Sequence, residues 1–226
     1  MKIIIISATE FEFNPSISKI KSSKKYDISF VVTGVGMLAT AVRLSRIIYK
    51  HKPDLIIQAG IAGCFDINIK LGETVVVKNE FLGDMGVEEN NIWKDLFDMK
   101  LKDDSSDTYD SPNDSKAIYI KGSIPNKHIN YFNPTNLTTV NAITVNQITT
   151  QQIRINQLIE KYNPTIESME GAALHFAGNY FDIPYLQIRS ISNYIGERDK
   201  SKWRIKEAIE NLNIELEKLV TQLTKS

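Results

Sequence analysis

Leu55-Ile56-Ile57-Gln58-Ala59-Gly60 is the stretch whose reading decides the fold. Consecutive apolar residues put side chains on both faces of a strand, so both faces must be covered. Ile3-Ile4-Ile5-Ile6 has the same character, and further Ile- and Val-rich runs occur at 28–33, 74–77 and 183–191. Between them, apolar residues recur at helical spacing over roughly 37–51, 147–162, 170–180 and 200–224. The last of these carries Trp203, Ile205, Ile209, Leu212, Leu216, Leu219 and Leu223 on one broad face. The pattern predicts an α/β fold, a three-layer α/β/α sandwich around a mixed, largely parallel sheet. A chain of 226 residues supplies one substantial core, so a single domain over 1–226 is expected.

Lys+Arg and Asp+Glu are both 27, giving zero formal charge and no basic field for a phosphate backbone. Nucleic acid is therefore not an expected partner. The apolar run at the N-terminus is too short for a signal peptide, and no stretch approaches the ~18 apolar residues of a membrane span. A cytosolic protein without membrane contact is expected. The lone Cys64 offers neither an intrachain disulfide nor a thiolate cluster and reads as a small packed residue. Residues 102–115, with five aspartates, read as an exposed acidic loop. A calcium loop there would need glycine where Thr108 stands.

In an open α/β sheet, ligands sit beyond the carboxyl ends of the strands. Thr33-Gly34-Val35-Gly36-Met37-Leu38-Ala39 follows a strand and opens a helix. It satisfies Gly-x-Gly-x-x-Ala formally, but the next strand ends in Gln58-Ala59-Gly60 and lacks the acid that would hold a dinucleotide ribose. Its glycines let backbone N–H groups approach an oxygen-rich ligand, or serve a tight turn alone. Ala59-Gly60-Ile61-Ala62-Gly63-Cys64 reads as a second glycine turn, forming a crevice floor or a close strand-to-loop contact.

Glu170 opens an alanine-rich helix, where it either stabilises the helix dipole or receives the two hydroxyls of a sugar diol. His175, five residues on, points about 140° away, so the two do not form a metal pair. Glu12 lies just beyond the first strand, as a solvated loop residue or as a base that orients and deprotonates water. Asn193, in Leu186-Gln187-Ile188-Arg189-Ser190-Ile191-Ser192-Asn193, is a turn residue or an amide presented to a planar heterocycle. Two glutamates in different roles are compatible with glycosidic chemistry.

Glu12, Gly34-Val35-Gly36, Ala59-Gly60-Ile61-Ala62-Gly63, Glu167-Ser168-Met169-Glu170-Gly171-Ala172-Ala173 and Arg189 to Asn193 together resemble the nucleoside phosphorylase and nucleosidase superfamily over nearly the whole chain. The layout is most similar to methylthioadenosine/S-adenosylhomocysteine nucleosidases. The resemblance implies that Glu12 activates water, Glu170 binds the ribose hydroxyls and Met169 packs on the ribose. It also implies that the backbone around Thr144 and Val145 holds the purine, that no metal or organic cofactor is used, and that the chain forms a homodimer or larger oligomer.

Ser7 to Asn14 contains no arginine, which favours water over phosphate as the nucleophile. Asn193 stands where the adenine-specific members carry aspartic acid. An amide cannot donate the proton to N7, but its NH₂ group matches the acceptors of a 6-oxopurine. Ser192 to Trp203 resembles the corresponding segment of the futalosine hydrolase family, which implies hydrolysis of futalosine to hypoxanthine and dehypoxanthinyl futalosine. Arg198 is then the candidate cation for the substrate's benzoate, unless it is a solvated surface charge. An adenine nucleosidase and a non-catalytic nucleoside-binding module remain the alternatives.

Overall fold

The Ile- and Val-rich runs all become strands of one eight-stranded mixed sheet in the computed structural model, which describes residues 1–102, 118–129 and 135–225. The acidic loop expected at 102–115 lies, from 103 on, outside the described residues. Strand β1 (Lys2–Ser7) pairs in parallel with β2 (Asp27–Val32) and β3 (Leu55–Cys64), and β3 pairs in parallel with β10 (Tyr185–Tyr194). Strand β10 runs antiparallel to β4 (Thr74–Leu82), which is parallel to β8 (Thr139–Thr144). Strand β9 (Ile166–Ser168) is parallel to β8 and antiparallel to the end of β3. The short β7 (Ser123–Pro125) adds to β4, and β5 (Gly86–Glu89) and β6 (Ile92–Asp95) form a separate hairpin.

Side chains of Ile3, Ile5, Leu55 and Ile57 enter one core with Phe13, Leu212, Leu216 and Leu219. Ile4, Ile6 and Ile56 enter another with Leu44, Ile47, Ile48 and Leu174. The first core lies under helices α1 (Glu10–Ile17) and α5 (Ile205–Lys225), the second under α2 (Met37–His51) and α4 (Gly171–Tyr180). Helices therefore cover both faces, and the three-layer sandwich follows from the two-sided apolar strands. Ile3 to Ile6 are almost wholly buried, and burying each contributes about 1.5–3 kcal/mol. Helix α3 (Gln152–Tyr162) packs Leu158 and Tyr162 against Ile143, Phe65, Phe81 and Trp93.

The structure differs from the expectation at three places. Residues 59–64 are not a glycine turn but the second half of the ten-residue β3, still hydrogen-bonded to β10. The helix expected from 147 begins at Gln152; the segment before it is held to the body of the fold by Asp84, which accepts the N–H groups of Asn146 and Gln147, and by Glu167, which accepts that of Thr149. The helix expected from 200 is a 3₁₀ turn over Lys200–Lys202, capped by Asp199, with α5 starting at Ile205. Among the described residues no helix is long and apolar enough to cross a membrane.

Candidate active site

Beyond the carboxyl ends of β1, β3 and β10 lies a cavity of about 530 Å³. Glu12, Ala62, Met169, Glu170 and Asn193 all line it, so the structure gathers these predicted residues around one space. Val35, between Gly34 and Gly36, lines it as well.

Glu12 sits in the first turn of α1, a helix absent from the sequence reading. Its Oε2 accepts from the Thr9 N–H at 2.9 Å and the Thr9 hydroxyl at 3.1 Å, and its Oε1 accepts from the Ile61 N–H at 3.1 Å. The Thr-x-x-Glu spacing of Thr9 and Glu12 is a capping-box signature and is the signal that would have found this helix. Glu12 is 6% exposed, so the solvated-loop alternative is overturned.

Glu170 stands at the N-cap position of α4, its side chain directed elsewhere than to the helix N–H groups, and is 5% exposed. Its Oε1 accepts from the Gly36 N–H at 3.0 Å, so the first glycine loop reaches the site through this carboxylate. Its Oε2 lies 3.4 Å from Nη1 of Arg189, an arginine in the middle of β10 that is 1% exposed. Arg189 also donates to Gln58 Oε1 at 3.1 Å and to the Ile61 carbonyl at 3.4 Å. A charge within the apolar run 186–191 was its sequence signal, since buried charges are kept only where they are paired.

Gly60 does not line the cavity. A Cβ at this position would overlap Nη1 of Arg189 and lie 3.0 Å from Glu12 Oε1, so the missing side chain makes room for the guanidinium beneath the site.

Thr144 and Val145 also stand away from the cavity. Thr144 is fully buried; its hydroxyl donates to Glu80 Oε2 at 3.0 Å and accepts from the Ala172 N–H at 2.8 Å. The Thr144 carbonyl accepts from Gly83, and the Val145 N–H donates to the Ser168 carbonyl. The Thr144 carbonyl and the Val145 N–H are therefore engaged by neighbouring segments, and Ile148, three residues beyond Val145, lines the cavity instead.

Asn193, next to last in β10, has its amide orientation determined by its neighbours. Nδ2 donates to the Tyr194 carbonyl at 3.1 Å, a partner that can only accept, and Oδ1 accepts from the Ser192 hydroxyl at 2.8 Å. The second N–H of that amide remains to be offered to a ligand.

The mouth is apolar, with Phe11, Ile195, Trp203, Ile205 and Ile209 around it. The stripe predicted on the last helix thus divides: Leu212, Leu216 and Leu219 enter the core, while Trp203, Ile205 and Ile209 border the cavity. Arg198 is exposed outside the wall, with its guanidinium 5.4 Å from the Trp203 ring centre.

Beneath the floor lies a buried polar layer. Glu80 accepts from Gln187 Nε2 at 2.9 Å and from Thr144, and burial pushes its carboxyl up to about 7. His175 lies 2.8 Å from the Ile124 carbonyl through Nδ1, and burial lowers it to about 4.

A family model described as the phosphorylase superfamily matches residues 2–225. The chain is 25% identical over 219 residues to a 5′-methylthioadenosine/S-adenosylhomocysteine nucleosidase of Maridesulfovibrio salexigens, covering 89% of each chain. It is 23% identical over 194 residues to a futalosine hydrolase of Thermus thermophilus, covering 85% of this chain and 81% of that one. Among solved structures, the futalosine hydrolase of Helicobacter pylori superimposes with a TM-score of 0.75 at 16% identity, covering 98% of both chains.

Proposed function

From the premise that this chain belongs to the phosphorylase superfamily, we propose that it hydrolyses the N-glycosidic bond of a 6-oxopurine nucleoside, specifically futalosine, releasing hypoxanthine. The observation that carries the reading is Asn193: an amide, with one N–H on the Tyr194 carbonyl and a second free to donate, lines the cavity where an adenine-specific enzyme would need an acid. A donor there matches the O6 and N7 acceptors of hypoxanthine.

Glu12, held by three donors, orients and deprotonates the attacking water. Glu170 accepts the ribose hydroxyls and stabilises positive charge developing at the anomeric carbon as the base departs. Met169 packs on the ribose. Arg189 is engaged by Glu170, Gln58 and the Ile61 carbonyl, which supports water rather than phosphate as the nucleophile. The apolar mouth suits an aromatic 5′ substituent, with Arg198 beside Trp203 as the cation for its carboxylate.

For the assembly we infer a homodimer. Val35, Leu38 and Val42 are largely exposed along one side of α2 and its entry, and Phe11 is exposed beside them at the mouth. A second copy would cover this surface and close the cavity on that side.

The test is base release from futalosine, inosine, methylthioadenosine and S-adenosylhomocysteine, without phosphate and then with it. Hypoxanthine from futalosine without phosphate is the expected result. Adenine release would favour the second reading, an adenine nucleosidase, which rests on the similarity to the Maridesulfovibrio salexigens protein. Phosphate dependence would make the chain a phosphorylase, and no release at all would leave a nucleoside-binding module.

A further inference from the structure

Glu167 is a buried carboxylate on the cavity wall that the roles above do not use. Its Oε1 accepts from the Thr149 N–H at 3.0 Å, while its Oε2 is buried and has no hydrogen-bond partner among the described residues. An unpaired carboxylate oxygen inside a protein is costly, so one retained on a ligand cavity requires an explanation.

Strand register supplies one. Asn193 on β10 pairs with Gly63 on β3, and Gly63 pairs with Glu167 on β9. The three residues form one row across adjacent strands, and all three line the cavity. Directly opposed residues point to the same sheet face, so Asn193 and Glu167 flank the space over Gly63, with backbones roughly 10 Å apart at two strand spacings. A Cβ at Gly63 would sit 2.5 Å from Ile195 Cδ1 and 3.4 Å from Asn193 Nδ2, so the absent side chain lets Ile195 pack over the strand beside the Asn193 amide.

We propose that Glu167 is a specificity-determining residue that reads the far edge of the purine, its Oε2 accepting the N1–H of a 6-oxopurine while Asn193 donates to the O6 and N7 edge. This rests on the nucleosidase reading above. The chemistry separates the two base classes: a 6-oxopurine carries a proton at N1 and an acceptor at O6, whereas adenine presents a bare N1 and a donating amino group. The Thr149 N–H matters because it requires an acceptor at Oε1 and so dictates which atom is turned to the base. Burial holds the Glu167 carboxyl above its usual range, against the lowering effect of the Thr149 hydroxyl and N–H.

The experiment is the Glu167→Gln variant. Its amide oxygen keeps the Thr149 bond and its NH₂ group then faces N1, donor against donor for hypoxanthine but donor to acceptor for adenine. The kcat/KM ratio of 6-oxopurine to adenine nucleosides should fall about 10- to 100-fold, with an unchanged melting temperature. A folded variant whose ratio equals that of the wild type overturns the assignment. If the variant does not fold, wild-type binding of hypoxanthine against 1-methylhypoxanthine carries the test: strong preference for the unmethylated base supports it, and equal binding overturns it. A wild-type enzyme that releases only adenine sinks the parent reading and this inference together. Hypoxanthine release with an unmoved ratio in Glu167→Gln sinks this inference alone.

Discussion

Replacing Gly60 by alanine asks whether the guanidinium under the site holds the two catalytic candidates in register. Gly60 lies within β3 and has no left-handed backbone, so alanine meets no conformational penalty and only space is at issue. The added Cβ would overlap Nη1 of Arg189, lie 3.1 Å from its Cζ and lie 3.0 Å from Glu12 Oε1. Restoring ordinary contact requires a shift of about 1 Å, on the order of the gap between overlap and the ~3.5 Å optimum. The guanidinium has no free volume for this, with Glu170 at 3.4 Å, Gln58 at 3.1 Å and the Ile61 carbonyl at 3.4 Å. Overpacking costs about 1–3 kcal/mol. Losing the buried pair outright would cost about 3–5 kcal/mol, so a stability loss of roughly 2–3 kcal/mol is expected. A displacement of that size between Glu12 and Glu170 should lower kcat about 100-fold. Denaturant unfolding and initial rates of base release read the two effects separately. Wild-type rates in a destabilised variant would show that Arg189 does not position the site. Wild-type stability would show that the guanidinium is not confined as described.

Glu12→Gln should bind substrate with little change yet release almost no base, and near-normal turnover would remove Glu12 from the water-activating role. Asn193→Asp should move selectivity toward adenine nucleosides by about 10- to 100-fold, and an unchanged ratio would sink the argument from the amide. Glu80, raised to about 7, makes stability fall as pH rises from its ordinary range through 7, whereas His175, lowered to about 4, makes stability fall as pH drops from its ordinary range through 4. The two slopes oppose each other near pH 5–6, so Glu80→Gln should expose the histidine's, with stability declining toward acid by roughly 3 kcal/mol in denaturant titrations; a wild-type pH profile in that variant would refute the pairing. Leu38→Asp should convert a dimer to a monomer in light scattering, while a wild-type protein that is already monomeric would overturn the proposed interface.

The fold was legible because Ile3 to Ile6 and Leu55 to Ile57 are apolar on both faces, and only covering layers on each side satisfy that pattern. Elements set by tertiary contacts were harder to read. Strand β9 has three residues and is held by pairing with β3 and β8, so its own pattern is short. Helix α1 carries Pro15 and weak amphipathicity, and only the Thr9 to Glu12 spacing marked it. Glu12, Glu170 and Asn193 line one cavity because each lies at or just beyond the end of a strand, where α/β folds place ligands. Thr144 and Val145 lie at another strand end, but the loop after them is pinned by Asp84 and Glu167, and Ile148 is the residue of this segment that lines the cavity.

Thr144 acquires a different importance from the layer beneath the cavity. Two carboxylates, Glu80 and Glu170, lie near the single buried guanidinium of Arg189, and burying a second anion without its own cation would be expensive. The structure separates them by partner. Glu170 takes the ion pair, while Glu80 receives neutral donors from Gln187 and Thr144 and is pushed toward its protonated form by burial. The Thr144 hydroxyl that donates to Glu80 also accepts the Ala172 N–H in the first turn of α4. One hydroxyl thereby ties β8, β4 and the start of α4, so the Glu170 carboxylate is positioned from below by a residue that does not line the cavity.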